Sequence, residues 1–440
     1  MNWASRTTYS ELPADVRSYG KAIVLDTVAA IVCGRAAAEV RELSADLLGP
    51  RSAGADSSQW RRLPESDSAF LLGLAASWLD IDETHFEARQ HVAAHVLPAS
   101  LVASRSFAAS GADLLRAFIV AYEVSARLGR ATDLRRDVMH SSGTHGTIGA
   151  AVAAALLSGR SEGEIVETVN VASAMTVASS IRTAAVGATS RNTYAAQAAR
   201  NGVLAPRLVA AGVRGDPDGL MAVFGSVSGT RFRPDALCSD IATRYLLLAN
   251  FVKRYAACAE AHPAILAAEQ AMAGYHSRDL RSVEVRIEPS AAKVLGAPNV
   301  ATDLAAHFSL PFLVAARLRG FGLEAIDAAV RSDPKVLSLM DSVIVVGDEG
   351  SHADESTLSA SVSIKLSSGR TVAGSSNIDC LRRLGVMGET DIRDKFIAAT
   401  SPIIGALEAQ QMMEFVMSLE DQVDLSPLYR LVFDHEPFPS

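Results

Sequence analysis

The chain contains 440 residues, of which 49% are hydrophobic and 20% charged, and its formal net charge is −8. This length exceeds what one compact core usually holds, so we expect two globular domains. The negative charge excludes a basic surface for nucleic acid, and the sequence contains neither a secretory signal nor a membrane-spanning stretch. Four dispersed cysteines without a CxxC pair exclude a disulfide framework and indicate a cytoplasmic protein: Cys33, Cys238, Cys258 and Cys380.

Most of the chain has the alanine-rich apolar pattern of helices. The first predicted helix covers residues 9–34, with Ser10 as a possible N-cap and Gly34 as its end. A polar stretch from Asp80 to His91 precedes a helix that we expect to open at Pro98. The further helices are predicted at 36–48, 66–79, 111–129, 161–180, 194–213, 257–274, 391–400 and from Pro402 to 420.

Residues 140–159, HSSGTHGTIGAAVAAALLSG, are apolar on every helical face after a polar start. This pattern predicts a buried central helix that neighbouring helices approach closely. Because a helix N-terminus favours anions, His140 and His145 lie where a carboxylate can bind.

The pattern changes near residue 280. VEVRI (283–287) alternates like a half-buried strand, VIVVGD (343–348) is a β-branched run, and 358–375 predicts a β-hairpin. Helices are expected between them at 301–318 and 323–331. We therefore predict a mainly α protein with an inserted α+β domain: residues 1–270 and 391–440 form the helical domain, and 271–390 form the smaller α+β lid domain.

Polar side chains, most of them titratable, crowd into the stretch between the predicted helix at 66–79 and Pro98. They are Asp80, Asp82, Glu83, Thr84, His85, His91 and His95. His91 and His95 have the i, i+4 spacing of a zinc pair, but Val92 stands where a metalloprotease needs Glu, so capping or core histidines are the favoured interpretation. The density of titratable groups in this stretch, beside a core helix, also indicates acid–base catalysis by one of them.

Three further candidates lie elsewhere. Cys258 and His262, at i, i+4, can form a nucleophile–base pair, although without an orienting acid a buried cysteine is favoured. Arg191 precedes an alanine-rich helix, where a guanidinium can bind a carboxylate or simply face solvent. Lys253 can hold a carboxylate or be solvated. No phosphate-binding loop or nucleophile elbow occurs, so neither a cofactor nor a metal is expected.

Several segments, in chain order, resemble the MmgE/PrpD family, which contains 2-methylcitrate dehydratase, cis-aconitate decarboxylase and iminodisuccinate epimerase. The resemblance covers nearly the whole chain. The segments are YSELPADVRSYGKAIVLDTVAAIVCG, DIDETHFEARQHVAAHVLPASLVAS, HSSGTHGTIGAAVAAALLSG, SRNTYAAQAARNGVLAPRLVAAGVRG, VKRYAACAEAHPAI, AAHFSLPFLVA and DKFIAAT…SLE.

The resemblance implies a homodimer whose active site lies between a helical domain and a lid. Carried over from the family, this site would use Asp80, Thr84, His91, His140 and Lys253. We predict His140, His91, Asp80 and Lys253 as catalytic residues, and Thr84, Arg191, His145, Cys258 and His262 as substrate-binding residues. Arg191 stands where the decarboxylase has a lysine, and Phe312 where it has a tyrosine. An Arg-Pro-rich stretch of the family is absent from APNVATDLAAHF (297–308).

The family chemistry starts with proton removal next to a carboxylate, for which a histidine is suited. We expect a cofactor-independent dehydratase of a small di- or tricarboxylate. The alternatives are an epimerase or decarboxylase of a similar acid, and a carboxylate-binding scaffold without catalysis. His140 is expected to act as a proton donor or acceptor in the reaction, with His91 and Asp80 across the pocket.

Overall fold

The computed structural model describes residues 1–49, 60–135, 138–276, 279–322, 325–348, 358–383 and 388–434. Its helices are α1 (Asn2–Arg6), α2 (Ala14–Arg35), α3 (Ala38–Leu48), α4 (Glu65–Trp78), α5 (Val92–Ser106), α6 (Gly111–Ala131), α7 (His145–Leu157), α8 (Glu162–Ser173), α9 (Arg182–Ala185), α10 (Thr193–Ala210), α11 (Gly219–Ala222), α12 (Asp235–Cys238), α13 (His262–Met272), α14 (Pro289–Leu295), α15 (Asp303–His307), α16 (Leu310–Leu318), α17 (Ala328–Arg331), α18 (Pro334–Met340), α19 (Ile378–Arg383), α20 (Glu389–Ile404), α21 (Ala406–Met417) and α22 (Ser426–Tyr429). The strands are β1 (Thr132–Leu134), β2 (Gly229–Phe232), β3 (Leu280–Ile287), β4 (Val343–Gly347), β5 (Ser359–Leu366) and β6 (Thr371–Asn377). The predicted fold class, mainly α with a smaller α+β part, is confirmed.

Two hydrophobic cores organise these elements. The larger core takes residues from the first 252 positions and again from 392–433. The second core is built mostly from residues 255–366 around the sheet. Helix α13 packs on β5 and β6, although the sequence assigned it to the helical domain. We therefore propose that the lid begins near residue 255 rather than 271.

The C-terminal helices return to the first core, where α20 and α21 both pack on α2. The sequence suggested a helix start at Pro402, but α20 continues through this proline. It ends at Gly405, whose φ of +86° is the left-handed conformation that glycine adopts without strain. Among the helices that the structure describes, none is long and apolar enough to cross a membrane.

A four-stranded sheet forms the lid, in the order β4-β3-β5-β6. β3 and β4 are parallel, with Val283 opposite Val343, whereas β5 is antiparallel to both β3 and β6. The predicted hairpin at 358–375 is thus confirmed. Along β5 every second residue is buried, from Ala360 to Leu366, because one face of the strand packs on α13.

Helix α7 is the buried central helix that the sequence predicted. It packs against α5, α6, α8 and α10, and its residues from His145 to Leu156 are all buried. Close packing depends on glycine, since a Cβ at Gly149 or Gly202 would overlap Ser125 or Ala150. Residues 140–144 are not helical, so His140 lies in the loop that leads into α7.

Helix α5 begins at Val92, and the predicted start at Pro98 is wrong. The carboxylate of Glu83, ten residues away, accepts a hydrogen bond from the Ala93 N–H at 2.6 Å and satisfies one of the free donors of the first turn. Pro98 therefore lies inside the helix, where it costs one backbone hydrogen bond. A cap supplied from a neighbouring loop gives no local sequence signal.

Helix α2 begins after Pro13 and continues through Arg35, so the predicted cap at Ser10 and stop at Gly34 are wrong. Gly34 instead allows α2 to pack closely on α4. A Cβ at this position would overlap the backbone carbonyl of Ala75. The glycine is required by helix–helix contact rather than by helix termination.

We expect Gly34→Ala to destabilise the protein by about 1–3 kcal/mol, because the added methyl group must push two buried helices apart. Gly163→Ala is the matched control, since Gly163 lies in α8 and a Cβ added there would have no neighbouring atom within 4 Å. Its free energy of unfolding should rise by up to about 1 kcal/mol through helix propensity. Urea denaturation measures both, and equal effects would contradict the close contact.

Candidate active site

The loop between α4 and α5 carries most of the candidate residues and is fixed by backbone hydrogen bonds. Thr84 and Phe251 exchange two of them: the Thr84 N–H donates to the Phe251 carbonyl at 2.9 Å, and the Phe251 N–H donates back at 2.8 Å. At the start of the loop Asp80 has a left-handed φ of +54°. This pairing brings Lys253, two residues after Phe251, against Asp80.

The Asp80 carboxylate binds two cations from distant segments. Its Oδ1 accepts a hydrogen bond from Arg191 Nη2 at 3.0 Å, and its Oδ2 lies 3.1 Å from Lys253 Nζ. Lys253 Nζ also donates to the Asp80 carbonyl at 2.8 Å. All three side chains are buried. Burial raises the pKa of Asp80, but Lys253 and Arg191 outweigh it and hold that pKa below its usual range.

His91 is oriented by acceptors on one ring nitrogen and by a donor on the other. Its Nδ1 lies 2.8 Å from the Glu83 carbonyl and 3.1 Å from Asp82 Oδ2. Its Nε2 lies 3.3 Å from Arg191 Nη2, which can only donate. The proton therefore resides on Nδ1, and Nε2 presents a lone pair. An imidazole with a carboxylate behind it is the arrangement of a general base.

The neighbours of His91 complete its surroundings. Burial raises the pKa of Asp82, but His91 and Lys253 outweigh it and hold the pKa below its usual range. The hydroxyl of Thr84 lies 3.4 Å from His91 Nδ1.

Arg191 also lies near backbone and side-chain oxygens of α4 and the start of α10, while its buried Nε has no partner among the described residues.

His140 has the opposite tautomer. Its Nδ1 accepts a hydrogen bond from the Ser142 N–H at 3.1 Å, so its proton resides on Nε2. The Ser179 hydroxyl donates to the His140 carbonyl, and the ring lies 5.9 Å from that of Tyr194. Burial and the charge of Arg191 lower the pKa of His140 well below its usual value. His140 is therefore a neutral N–H donor near Arg191.

The other predicted binding residues make different contacts. His145 stacks on Phe224 with ring centroids 5.2 Å apart, and the described residues offer neither of its ring nitrogens a partner. His262 contacts the backbone carbonyl of Cys258 at 3.3 Å, not its thiol, and accepts from the Tyr255 N–H at 3.2 Å. Burial raises the pKa of Cys258. This geometry favours packing over a nucleophile–base pair.

The zinc interpretation of His91 and His95 gains no support from the geometry. The lone pair of His91 Nε2 faces a guanidinium, and His95 is a fully buried imidazole against α7, where a Cβ at Gly146 would overlap its ring. Within the described ranges no group of three or more His, Cys, Asp or Glu side chains is arranged to hold a metal ion. Phe312 is fully buried in α16, in the second core.

Two charged residues that the sequence did not predict, Lys395 and Asp26, also hold the loop between α4 and α5 in place. Lys395 of α20 donates to Asp26 of α2 at 2.6 Å and to the Ile81 carbonyl at 2.8 Å. Asp26 is buried, and it interrupts the apolar run AIVLDTVAAIV of its helix. A lone acid in such a run signals a buried partner, but nothing local shows that the partner lies 369 residues away.

Comparison with known proteins identifies the family of the chain. Residues 1–228 match the family model of the MmgE/PrpD N-terminal domain, and residues 255–421 match that of the MmgE/PrpD C-terminal domain. The cis-aconitate decarboxylase-like protein oryM of Aspergillus oryzae is 25% identical over 98% of this chain and 96% of its own length. Cis-aconitate decarboxylase of Aspergillus terreus is 23% identical over 98% and 94%, and that of Homo sapiens 26% over 95% and 90%. These matches indicate an enzyme of the lyase or decarboxylase type.

The buried Glu83 predicts a pH-dependent stability. Burial raises the pKa of its carboxyl group to about 8, against the lowering effect of the Ala93 N–H. Between the usual pKa and about 8 the folded protein keeps a proton that the unfolded chain has lost, so the free energy of unfolding falls as pH rises. Glu83→Gln keeps the acceptor for Ala93 and cannot ionise. It should be increasingly more stable than wild type from about pH 5 to pH 9.

Urea denaturation at several pH values measures this difference. Other groups titrate in both proteins, so only the difference between the two curves reports on position 83. Parallel curves for Glu83→Gln and wild type would show that Glu83 is ionised when folded.

Proposed function

Because this chain belongs to the MmgE/PrpD family, we propose that it is a cofactor-independent lyase that decarboxylates a small unsaturated tricarboxylate of the cis-aconitate type. The observation that carries the proposal is the partly buried His91, with Asp82 on Nδ1 and a lone pair on Nε2 beside the Arg191 guanidinium. A proton carrier and a carboxylate anchor thus lie in contact. The names of the relatives favour decarboxylation among the family reactions.

The charges of the site support binding of a carboxylate. Arg191 and Lys253 together carry two positive charges and share the one negative charge of Asp80. Asp82, whose pKa is held below its usual range, balances the second positive charge, so the cluster gains a net positive charge and attracts an anion when His91 is protonated. The unpartnered Nε of Arg191 gives this anion a directed hydrogen bond. A substrate carboxylate that accepts the Arg191 Nη2 hydrogen bond in place of His91 frees Nε2 and favours the imidazolium, whose charge Asp82 stabilises.

The imidazolium of His91 then supplies the proton of the reaction. The C–C bond to one carboxylate breaks, carbon dioxide leaves, and the electron pair stays on the carbon skeleton. A skeleton carbon takes the proton from His91 Nε2, and His91 recovers a proton from solvent in the next turnover. His140, held neutral, donates its Nε2–H to the substrate oxygen on which negative charge develops.

Dehydration, the reaction that we expected from the sequence, requires a second proton-transferring group in the site. His91 can remove a proton in its neutral form, but a second group must protonate the departing hydroxyl. His140 is a poor acid because its neutral tautomer is fixed by the Ser142 N–H. Lys253 already contacts both the side chain and the carbonyl of Asp80. Decarboxylation needs one proton donor, which His91 supplies.

Proton NMR in D2O tests the reaction type. The purified protein is incubated with cis-aconitate, citrate, 2-methylcitrate and an aspartate-like acid, with and without excess EDTA. We expect cis-aconitate to lose carbon dioxide and to gain one deuterium on carbon, unaffected by EDTA. Loss of water from a citrate-like acid would indicate a dehydratase, exchange without net change an epimerase, and binding without turnover the scaffold. Any of these results in place of decarboxylation would contradict the proposal.

The same assay, applied to His91→Gln and His140→Gln, distinguishes the roles of the two histidines. His91→Gln should lower kcat by about 10²–10⁴-fold, the usual contribution of a positioned proton carrier. His140→Gln retains a hydrogen-bond donor, so its loss should be clearly smaller. Melting temperatures close to wild type show that the fold is kept. The homodimer and the cytoplasmic location expected from the sequence stay predictions.

A further inference from the structure

His307 at the end of α15 is a buried imidazole that neither the sequence nor the proposed reaction used. Its side chain is fully buried, and neither ring nitrogen has a hydrogen-bond partner among the described residues. A neutral imidazole carries one N–H and one lone pair. Buried polar groups are nearly always paired, so this one points to a ligand group.

Contacts of α15 place His307 at the ion-paired cluster. The Cys258 N–H, five residues after Lys253, donates to the His307 carbonyl at 3.0 Å. On the other side, Thr302 donates to the Gly187 carbonyl at 2.7 Å. The next residue, Phe308, lies with its ring centre 5.8 Å from Arg191 Cζ.

Helix α15 therefore lies between the segments that carry Arg191 and Lys253. Because Asp80 binds both cations, this position puts His307 on the lid side of Asp80. The charges of Asp80, Lys253 and Arg191 all act on its ring.

The chemical state of His307 suits a carboxylate. Burial lowers the pKa of its ring to about 4, so at neutral pH it is uncharged and donates one hydrogen bond. The cations of the site, Arg191 and Lys253, both come from segments that precede the lid. A neutral N–H on α15 adds a polar contact on the side of the substrate opposite the helical domain.

We propose that His307 is a substrate-binding residue that donates its N–H from the lid to a second carboxylate of the substrate. It thereby favours tricarboxylates over acids that lack the carboxylate at that place. This assignment rests on the proposed function, because it takes the first carboxylate to be bound at Arg191.

Calorimetric titration with unreactive acids tests the assignment without turnover. The probes are tricarballylate, which has three carboxylates, and glutarate and methylsuccinate, which each lack one of them. Wild type should bind tricarballylate more tightly than at least one dicarboxylate, by about 10- to 100-fold for one hydrogen bond to a charged group. His307→Leu should remove this preference, and His307→Gln, which keeps an N–H donor, should restore part of it.

Ser309→Ala is the matched control. Ser309 is also fully buried and lies two residues further along, but its hydroxyl donates to the Ala297 carbonyl within the lid. This variant should lower the melting temperature and leave the preference unchanged. If Ser309→Ala and His307→Leu change the preference alike, His307 has only a structural role.

The outcomes separate the two proposals. An unchanged preference in His307→Leu, or no preference in wild type, would overturn the role of His307 and leave decarboxylation standing. A lost preference in a protein that decarboxylates nothing would support His307 and overturn the reaction. If wild type binds none of the three acids, both proposals fail.

Discussion

The Asp80 carboxylate holds Arg191 and Lys253 at the same time, and the rest of the site depends on this arrangement. The three residues lie on segments separated by more than sixty positions, and all are buried. Removing one partner of such a set leaves a buried charge uncompensated, which typically costs about 3–5 kcal/mol. The charges therefore fix three segments relative to one another.

Orientation of His91 follows from the same constraint. Arg191, held by Asp80, presents its Nη2 to His91 and so keeps a lone pair on Nε2. His140 is fixed separately, by the Ser142 backbone N–H in the loop before α7. His91 and His140 thus have opposite tautomers, although the sequence does not distinguish them. One can take and return a proton, and the other can only donate a hydrogen bond.

Features that the sequence predicted correctly depend on periodicity and on short motifs. The buried helix α7 and the hairpin of β5 and β6 have continuous apolar or alternating patterns, which few other structures satisfy. The family followed from several motifs in order. The proximity of Lys253 to Asp80 was expected only through the resemblance, since no local pattern joins residues so far apart.

The remaining features depend on contacts between distant segments. The start of α5 is stabilised by Glu83, and Gly34 serves a contact with α4 rather than a helix end. The pairing of Lys395 with Asp26 joins the two ends of the chain. His307 shows no sequence pattern of its own, and its burial between two site segments becomes visible only in the fold.

The proposed reaction depends on the histidine tautomers, and nitrogen-15 NMR measures them directly. The protein is labelled in its ten histidines, and the signals of interest are assigned by their loss in His91→Gln and His140→Gln. At neutral pH without substrate, we expect a proton on Nδ1 of His91 and on Nε2 of His140. A His91 protonated on Nε2, or a His140 that is positively charged, would contradict this expectation.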